Sequence, residues 1–283
     1  MGGRGRGGGM VASTSIRRPA KLLVAAGLAL ALVALARPSH AAKPAKALEI
    51  SFDVRVRDSR IGSGKLLVGP RQGDGRKGLR LLQLTGQTES VLGAIYQGAL
   101  LAHSWVNADW LPQAARWDSQ LAGRKAFTQA TLAGGRLIAM FERQGRGAIQ
   151  QDRMTAGILL DPVAMVPWLM QQKAKPGQTW KASLFTGADL CQLDMAAKTV
   201  EAIQVSGKAM DALRIEAVLS SCRMQRSVTL WLAMADQSPQ RLVLHDRLLG
   251  DILFDLVGVE QVPLPEVLPA PKEPLLPRLA RAN

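Results

Sequence analysis

His103 and Ser104 are adjacent and Asp109 lies five residues on, so the residue types of a nucleophilic triad fall within one short stretch. The spacing does not let them cooperate. On a strand, neighbouring side chains point to opposite faces, so an imidazole at 103 cannot take a proton from the hydroxyl at 104. No Gly-x-Ser-x-Gly elbow exposes a nucleophile elsewhere. Asp109 and Asp118 flank Trp110 and Trp117, an acid and aromatic pairing that glycosidases and sugar binders use. Nothing in that pattern sets a separation between the carboxyl groups, and turn capping accounts for both acids. His245-Asp246 sits within a strand pattern and reads as a hydrogen-bonded structural histidine. Past residue 41 the chain holds only His103 and His245, too few for a three-histidine zinc site, and Cys191 and Cys222 lack Cys-x-x-Cys spacing. "GSGK" (62–65) and "GDGRKG" (73–78) are not Walker loops and read as hairpin turns. The expectation is therefore no catalytic residue, no metal and no cofactor.

The two cysteines have another use. "SIRRPAKLLVAAGLALALVALARPSHAAKP" has a basic start (Arg17, Arg18, Lys21), an apolar run from Leu22 to Ala36, and a small-residue site at Ser39-His40-Ala41. That is a secretory signal, cleaved before Ala42, and its apolar run is shorter than the roughly 18 residues a spanning helix needs. Pro19-Ala20-Lys21 after the arginine pair does not fit a twin-arginine signal. No cysteine follows the apolar run, so lipoprotein modification is excluded there. Met10 is an alternative start to Met1. Export to the periplasm permits a disulfide, and Cys191–Cys222 is the one pair available.

The elements that would carry any site are strands. In "ALEISFDVRVR", Leu48, Ile50, Phe52, Val54 and Val56 share one face and Glu49, Ser51, Asp53, Arg55 and Arg57 the other, the period-two pattern of a half-buried strand. "DSRIGSG" reads as the following turn and "KLLVGP" as a second strand. Further strands are expected at 79–87, 90–96, 100–106, 116–121, 125–132, 136–143, 179–185, 198–205, 212–220, 227–234, 241–246 and 252–259, with "VSGKA" and "RLLGDI" as tight connections. Short connections favour antiparallel pairing, because parallel pairs need long crossovers. The fold class is mainly β, a curved antiparallel sheet or half-barrel with one short central helix; a closed barrel or a sandwich are the other arrangements of so many strands.

The helix is expected from Asp161 to Lys173, inside the apolar stretch "GILLDPVAMVPWLMQQKAKPGQTW". Asp161 suits the N-cap and Pro162 the first helical position, whereas Pro167 removes a hydrogen bond and keeps the helix short. Apolar residues cover every side of it, so it belongs inside the sheet, as a permanent plug or as a lid that a lipid displaces. Six Trp against one Tyr and five Phe give an amphipathic lining something to draw on. The residues placed on that lining are Met165, Trp168, Leu169, Met170 and Trp231, although Trp231 falls on the less apolar side of its strand.

The formal charge is +14, of which the first 41 residues contribute six bases and no acid. The remaining bases are scattered among acids as a solvated surface, which argues against nucleic acid and leaves peripheral contact with anionic membrane open. Residues 42–262 are expected to form the exported β-domain. The end, 263–283, holds six prolines between Pro263 and Pro277 and reads as an extended tail, a disordered end or an arm for an envelope protein.

The order of "ISFDVRVRDSRIGSGKL", "LPQAARWDSQLAGRK", "GILLDPVAMVPWLMQQKAKPGQTW", "ALRIEAVLSS" and "SVTLWLAMADQSPQRLVLHDRLLGDILFDLVGVEQ" resembles an exported bacterial family catalogued as domain of unknown function thirty-one-oh-eight. The matching steps are Asp161-Pro162, Pro176-Gly177, Trp231-Leu232 and Ser238-Pro239, over roughly Leu48 to Gln261. The resemblance implies a curved antiparallel sheet similar to lipoprotein-carrier folds, and no catalytic residue. The expected function is a periplasmic cell-envelope protein that binds an apolar or lipid-like ligand without catalysis. The alternatives are an assembly module acting through protein partners and an envelope-polymer hydrolase.

Overall fold

The computed structural model describes residues 45–264, apart from 58, 73–77, 90–97, 122, 223–225 and 247–249. Strands β1 (Lys46–Val56), β2 (Ser59–Gln72), β3 (Leu79–Thr88), β4 (Gly98–Val106), β5 (Pro112–Leu121), β6 (Arg124–Ala133), β7 (Arg136–Arg143) and β8 (Arg146–Met154) form an antiparallel meander. After β9 (Ile158–Leu160) and helix α1 (Pro162–Gln171), a second meander follows: β10 (Thr179–Phe185), β11 (Leu190–Val205), β12 (Lys208–Ser220), β13 (Arg226–Ala233), β14 (Pro239–Asp246) and β15 (Gly250–Pro263). β1 pairs with β15, which joins both meanders into one curved, unclosed sheet with β8 at one edge and β9 at the other. Only β9 and β10 pair in parallel, because α1 supplies the crossover that parallel pairing needs.

The two edges are consecutive in the chain. Three residues, 155–157, separate β8 from β9, so these strand ends stand at most about 14 Å apart. A turn of β10–β11 also bridges the gap: Gln151 Nε2 on β8 donates to the Ala188 carbonyl at 2.5 Å. Gly187 beside it has φ +95°, and a Cβ there would lie 2.6 Å from the Trp117 ring. Only glycine fits so close an approach with that backbone.

Alternation sets the two faces of the sheet. Ile50, Leu66, Leu82, Ala102, Val106, Ala115, Trp117, Ala130 and Leu137 of the first meander form one cluster on the helix side. Leu184, Leu193, Leu213, Ile215, Leu230 and Leu232 of the second form another. Helix α1 joins them. Val163 and Ala164 pack into the first cluster and Met165, Trp168 and Leu169 into the second. The helix therefore sits on the inner side, as its all-round apolar surface requires.

Several expectations are corrected. Ser59–Gly64 is not a turn but the start of β2; the chain reverses at Arg57, whose φ is 54°. Gly62 and Gly64 serve the ladder instead, since a Cβ at Gly62 would lie 2.1 Å from the Gln87 carbonyl oxygen. β8 and β9 are additional to the expected strands, and β11 begins at Leu190 rather than 198. The strand expected at 90–96, most of "GDGRKG" and the leader lie outside the described residues. The helix is shorter than 161–173: Lys173 has φ 47°, which ends it.

Cys191 and Cys222 are joined, with Cα atoms 4.9 Å apart. The bridge clamps the open end of the β11–β12 hairpin, opposite its Ser206-Gly207 turn. On loop-closure entropy alone, a bridge across 31 positions stabilises by about 3.5 kcal/mol. Replacing both cysteines by serine should lower the unfolding free energy by about that amount in a urea titration. A parent-like midpoint would show that the hairpin does not depend on the bond.

Candidate functional site

Asp161 organises the segment around the helix. Its backbone is extended (φ −122°, ψ 165°), and its Oδ1 accepts from the Val163 and Ala164 amides at 2.9 and 2.8 Å, as an N-cap does. Pro162 follows at the first turn, where no amide is required. The other carboxylate oxygen accepts from Ser104 Oγ on β4 at 2.6 Å. Both residues are 0 % exposed. Burial raises the carboxyl pKa to about 6, against the pull of the three donors, the Ser104 hydroxyl foremost. Sequence reasoning found the cap but not its partner 57 positions away. A hydroxyl and a carboxylate sealed from solvent hold β4 to the helix and present nothing to a substrate.

The rest of the suspected triad disperses. His103 faces the opposite side of β4 from Ser104, with Nε2 3.2 Å from Gln83 Oε1. Burial, then the Arg116 charge, hold its pKa below the ordinary value, so the imidazole is neutral at pH 7. Asp109 lies exposed in a turn whose amides bond to the Asn107 side chain. Asp118 is ion-paired with Arg116 at 3.4 Å, on the face away from Trp117. The two acids and two tryptophans form no common site. His245 bridges Thr229 Oγ1 at 3.0 Å and Asp251 Oδ1 at 2.8 Å between strands. Among the described residues no cluster of three or more His, Cys, Asp or Glu could hold a metal ion.

The expected lining residues also separate. Met165, Trp168 and Leu169 are core; Trp168 is 4 % exposed and meets Trp180 edge-on at 6.5 Å between centroids. Trp231 lies on the other face, since its neighbours Leu230 and Leu232 enter the helix-side cluster, and its indole donates to Glu201. The sheet thus divides Trp231 from the helix. Met170 lines a cavity.

That cavity, of about 380 Å³, lies between the C-terminal half of α1 and strands β1–β3. Leu48, Ile50, Val68, Trp110, Pro167 and Met170 supply its apolar walls. Arg80 and Lys46 supply its cations. Arg80 lies over the Trp110 ring at 4.0 Å, and no carboxylate pairs with it among the described residues. Burial, then the neighbouring Arg71 charge, hold its pKa below the usual guanidinium value. Trp110 reaches this position through an uncommon backbone, φ 63°. The signal for the site was therefore a turn tryptophan and a strand arginine, neither notable by spacing.

A larger depression, about 890 Å³, lies on the outer face, lined by Lys65, Thr85, Leu101, Asp118 and Phe127. Its charges are of both signs: Lys65 bonds Glu49 at 2.7 Å, Asp118 bonds Arg116, and Lys125 and Glu142 also line it. The smaller cleft is the better binding site, because an apolar wall there meets a half-buried cation that no carboxylate pairs among the described residues.

No family model matches the chain, and no curated protein does. The resemblance to family thirty-one-oh-eight read in the sequence is therefore not confirmed. The fold has a solved counterpart. A β-barrel-like protein of domain of unknown function DUF1849 from Brucella abortus matches at TM-score 0.53 and 9 % identity, over 77 % of this chain and 99 % of that one. A protein with a YmcC-like fold from Bacteroides fragilis, described as exported, matches at TM-score 0.29 and 6 % identity, over 77 % of this chain and 96 % of that one. The first likeness shows a shared β-fold among proteins of unknown function; the second is too weak to add to it.

Proposed function

We propose that this is an exported cell-envelope protein that binds one anionic amphiphile, an acyl chain with a carboxylate or phosphate head, and carries out no catalysis. The observation that carries the reading is Arg80 at the cleft beside α1. An apolar chain against Leu48, Ile50, Val68 and Met170 would be sheltered from water, and an acidic head would supply the charge partner that Arg80 lacks among the described residues. The Cys191–Cys222 bond supports an oxidising compartment, and the leader read in the sequence supports export to the periplasm. Peripheral contact with the membrane would be the route by which such a ligand arrives.

The test is displacement of a fluorescent fatty acid by palmitate and by the matching uncharged alcohol. Arg80→Ala should weaken palmitate about tenfold, near 1.4 kcal/mol, and leave the alcohol unchanged. Equal weakening of both would remove the role of the charge. Absence of saturable binding in the parent would end the proposal.

A further inference from the structure

Among the described residues no acid lines the cleft beside α1. Its charged residues are Lys46 and Arg80, and the carboxamides of Gln171 and Gln261 join them in the lining. Register extends the positive charge. Lys46 shares a face of β1 with Leu48, whose partner on β2 is Val68. Farther along β2, Arg71 stands directly opposite Arg80 of β3. The start of β1, the end of β2 and the start of β3 thus bring three cations to one end of the sheet. Like charges directly opposite each other destabilise a strand pair. The Arg80 pKa is held down by burial first and by the Arg71 charge second. Neither Lys46 nor Arg80 pairs with a carboxylate among the described residues.

The turn before β5 fixes how Arg80 is presented. Asn107 Oδ1 accepts from the Asp109 and Leu111 amides at 2.9 and 3.0 Å, which holds Trp110 at its φ of 63°. The Trp110 ring then covers one face of the guanidinium at 4.0 Å. Guanidinium N–H groups lie in the plane of the group, so stacking leaves its donor edge open to two oxygens of one anion.

We propose that the head bound here is a phosphate monoester, gripped by Arg80 and Lys46 together; this rests on the amphiphile reading above. A carboxylate brings one charge and leaves one of the two lining cations unmatched. A phosphate monoester brings about −1.5 to −2 at pH 7 and three acceptor oxygens, enough for both cations and for a fork from Arg80. Gln171 and Gln261 carry further donors for the same oxygens. The carbonyl end of α1 repels an anion, so the head sits against the strands and the acyl chain against Pro167 and Met170.

The test is displacement of a fluorescent fatty acid from the full disulfide-bonded chain by hexadecyl phosphate, by palmitate and by inorganic phosphate. Hexadecyl phosphate should bind about tenfold more tightly than palmitate, and inorganic phosphate should displace nothing. Lys46→Ala should erase that preference and leave palmitate as in the parent. Equal affinity for the two amphiphiles would overturn the phosphate assignment while leaving the amphiphile site intact. A preference that survives Lys46→Ala would overturn the two-cation grip. Inorganic phosphate displacing the probe as well as hexadecyl phosphate does would make this a site for the free anion and overturn the part given to the chain. Binding of neither amphiphile would end the underlying reading, and this inference with it.

Discussion

Trp168→Ala should lower the unfolding free energy by roughly 3–5 kcal/mol, the range for removing a large aromatic side chain from a packed core. Trp168 touches the second-meander cluster and Trp180, while Val163 and Ala164 on the same helix anchor the first. A cavity at 168 loosens the element that joins both halves of the sheet. Pro167 adds to the cost, because this helix already lacks one backbone hydrogen bond and depends on burial to hold its shape. Guanidinium unfolding of the disulfide-bonded parent and variant measures it. A displaceable lid would give near-parent stability together with altered uptake of a fluorescent fatty acid. A permanent plug gives the stability loss with binding retained in folded protein.

Asp161 should produce the second large effect, and its sign depends on pH. The folded carboxyl titrates at about 6, against 3.8 for the free group, so the folded state holds the proton more tightly. The stability it contributes is fully present below about pH 4 and is lost as pH rises through 6. The loss is about 3 kcal/mol, from a shift of roughly two units at 1.36 kcal/mol each. Asp161→Asn keeps an acceptor for the Val163 and Ala164 amides but cannot ionise. Relative to the parent it should therefore gain about 2 kcal/mol between pH 4 and pH 7. Asp161→Ala orphans both amides and the Ser104 hydroxyl and should cost roughly 3–4 kcal/mol at pH 4, and less at pH 7. Unfolding titrations of the three proteins across that range decide the matter. A constant gap between the parent and the Asp161→Asn variant would show that the buried carboxyl does not titrate there.

Legibility in the sequence followed the strength of local patterning. Strict alternation made β1 and its inner face plain, and Asp161-Pro162 announced the helix start through cap chemistry. β8 left no trace, because "RGAIQQDRM" is an edge strand exposed along nearly its whole length and has no apolar face to alternate. β9 is three residues inside an apolar run that also opens a helix, and periodicity cannot divide so short a stretch. The Ser104–Asp161 bond joins residues whose positions only the folded sheet brings together. Alternation puts Trp231 on the correct side of its strand. Grouping it with a helix on the other side fails, since one strand's pattern does not say which face carries the ligand. Arg80 and Trp110 are invisible as a pair for the same reason: the cation lies on β3 and the ring in a turn after β4, and only the register stacks them.

The cleft beside α1 is the centre of the functional account, and native mass spectrometry of the exported, disulfide-bonded chain tests it most directly. After incubation with palmitate, the parent should carry one acyl anion. Met170→Trp, which fills the cleft from the helix side, should carry none. An unliganded parent, or an adduct that persists in Met170→Trp, would contradict the account.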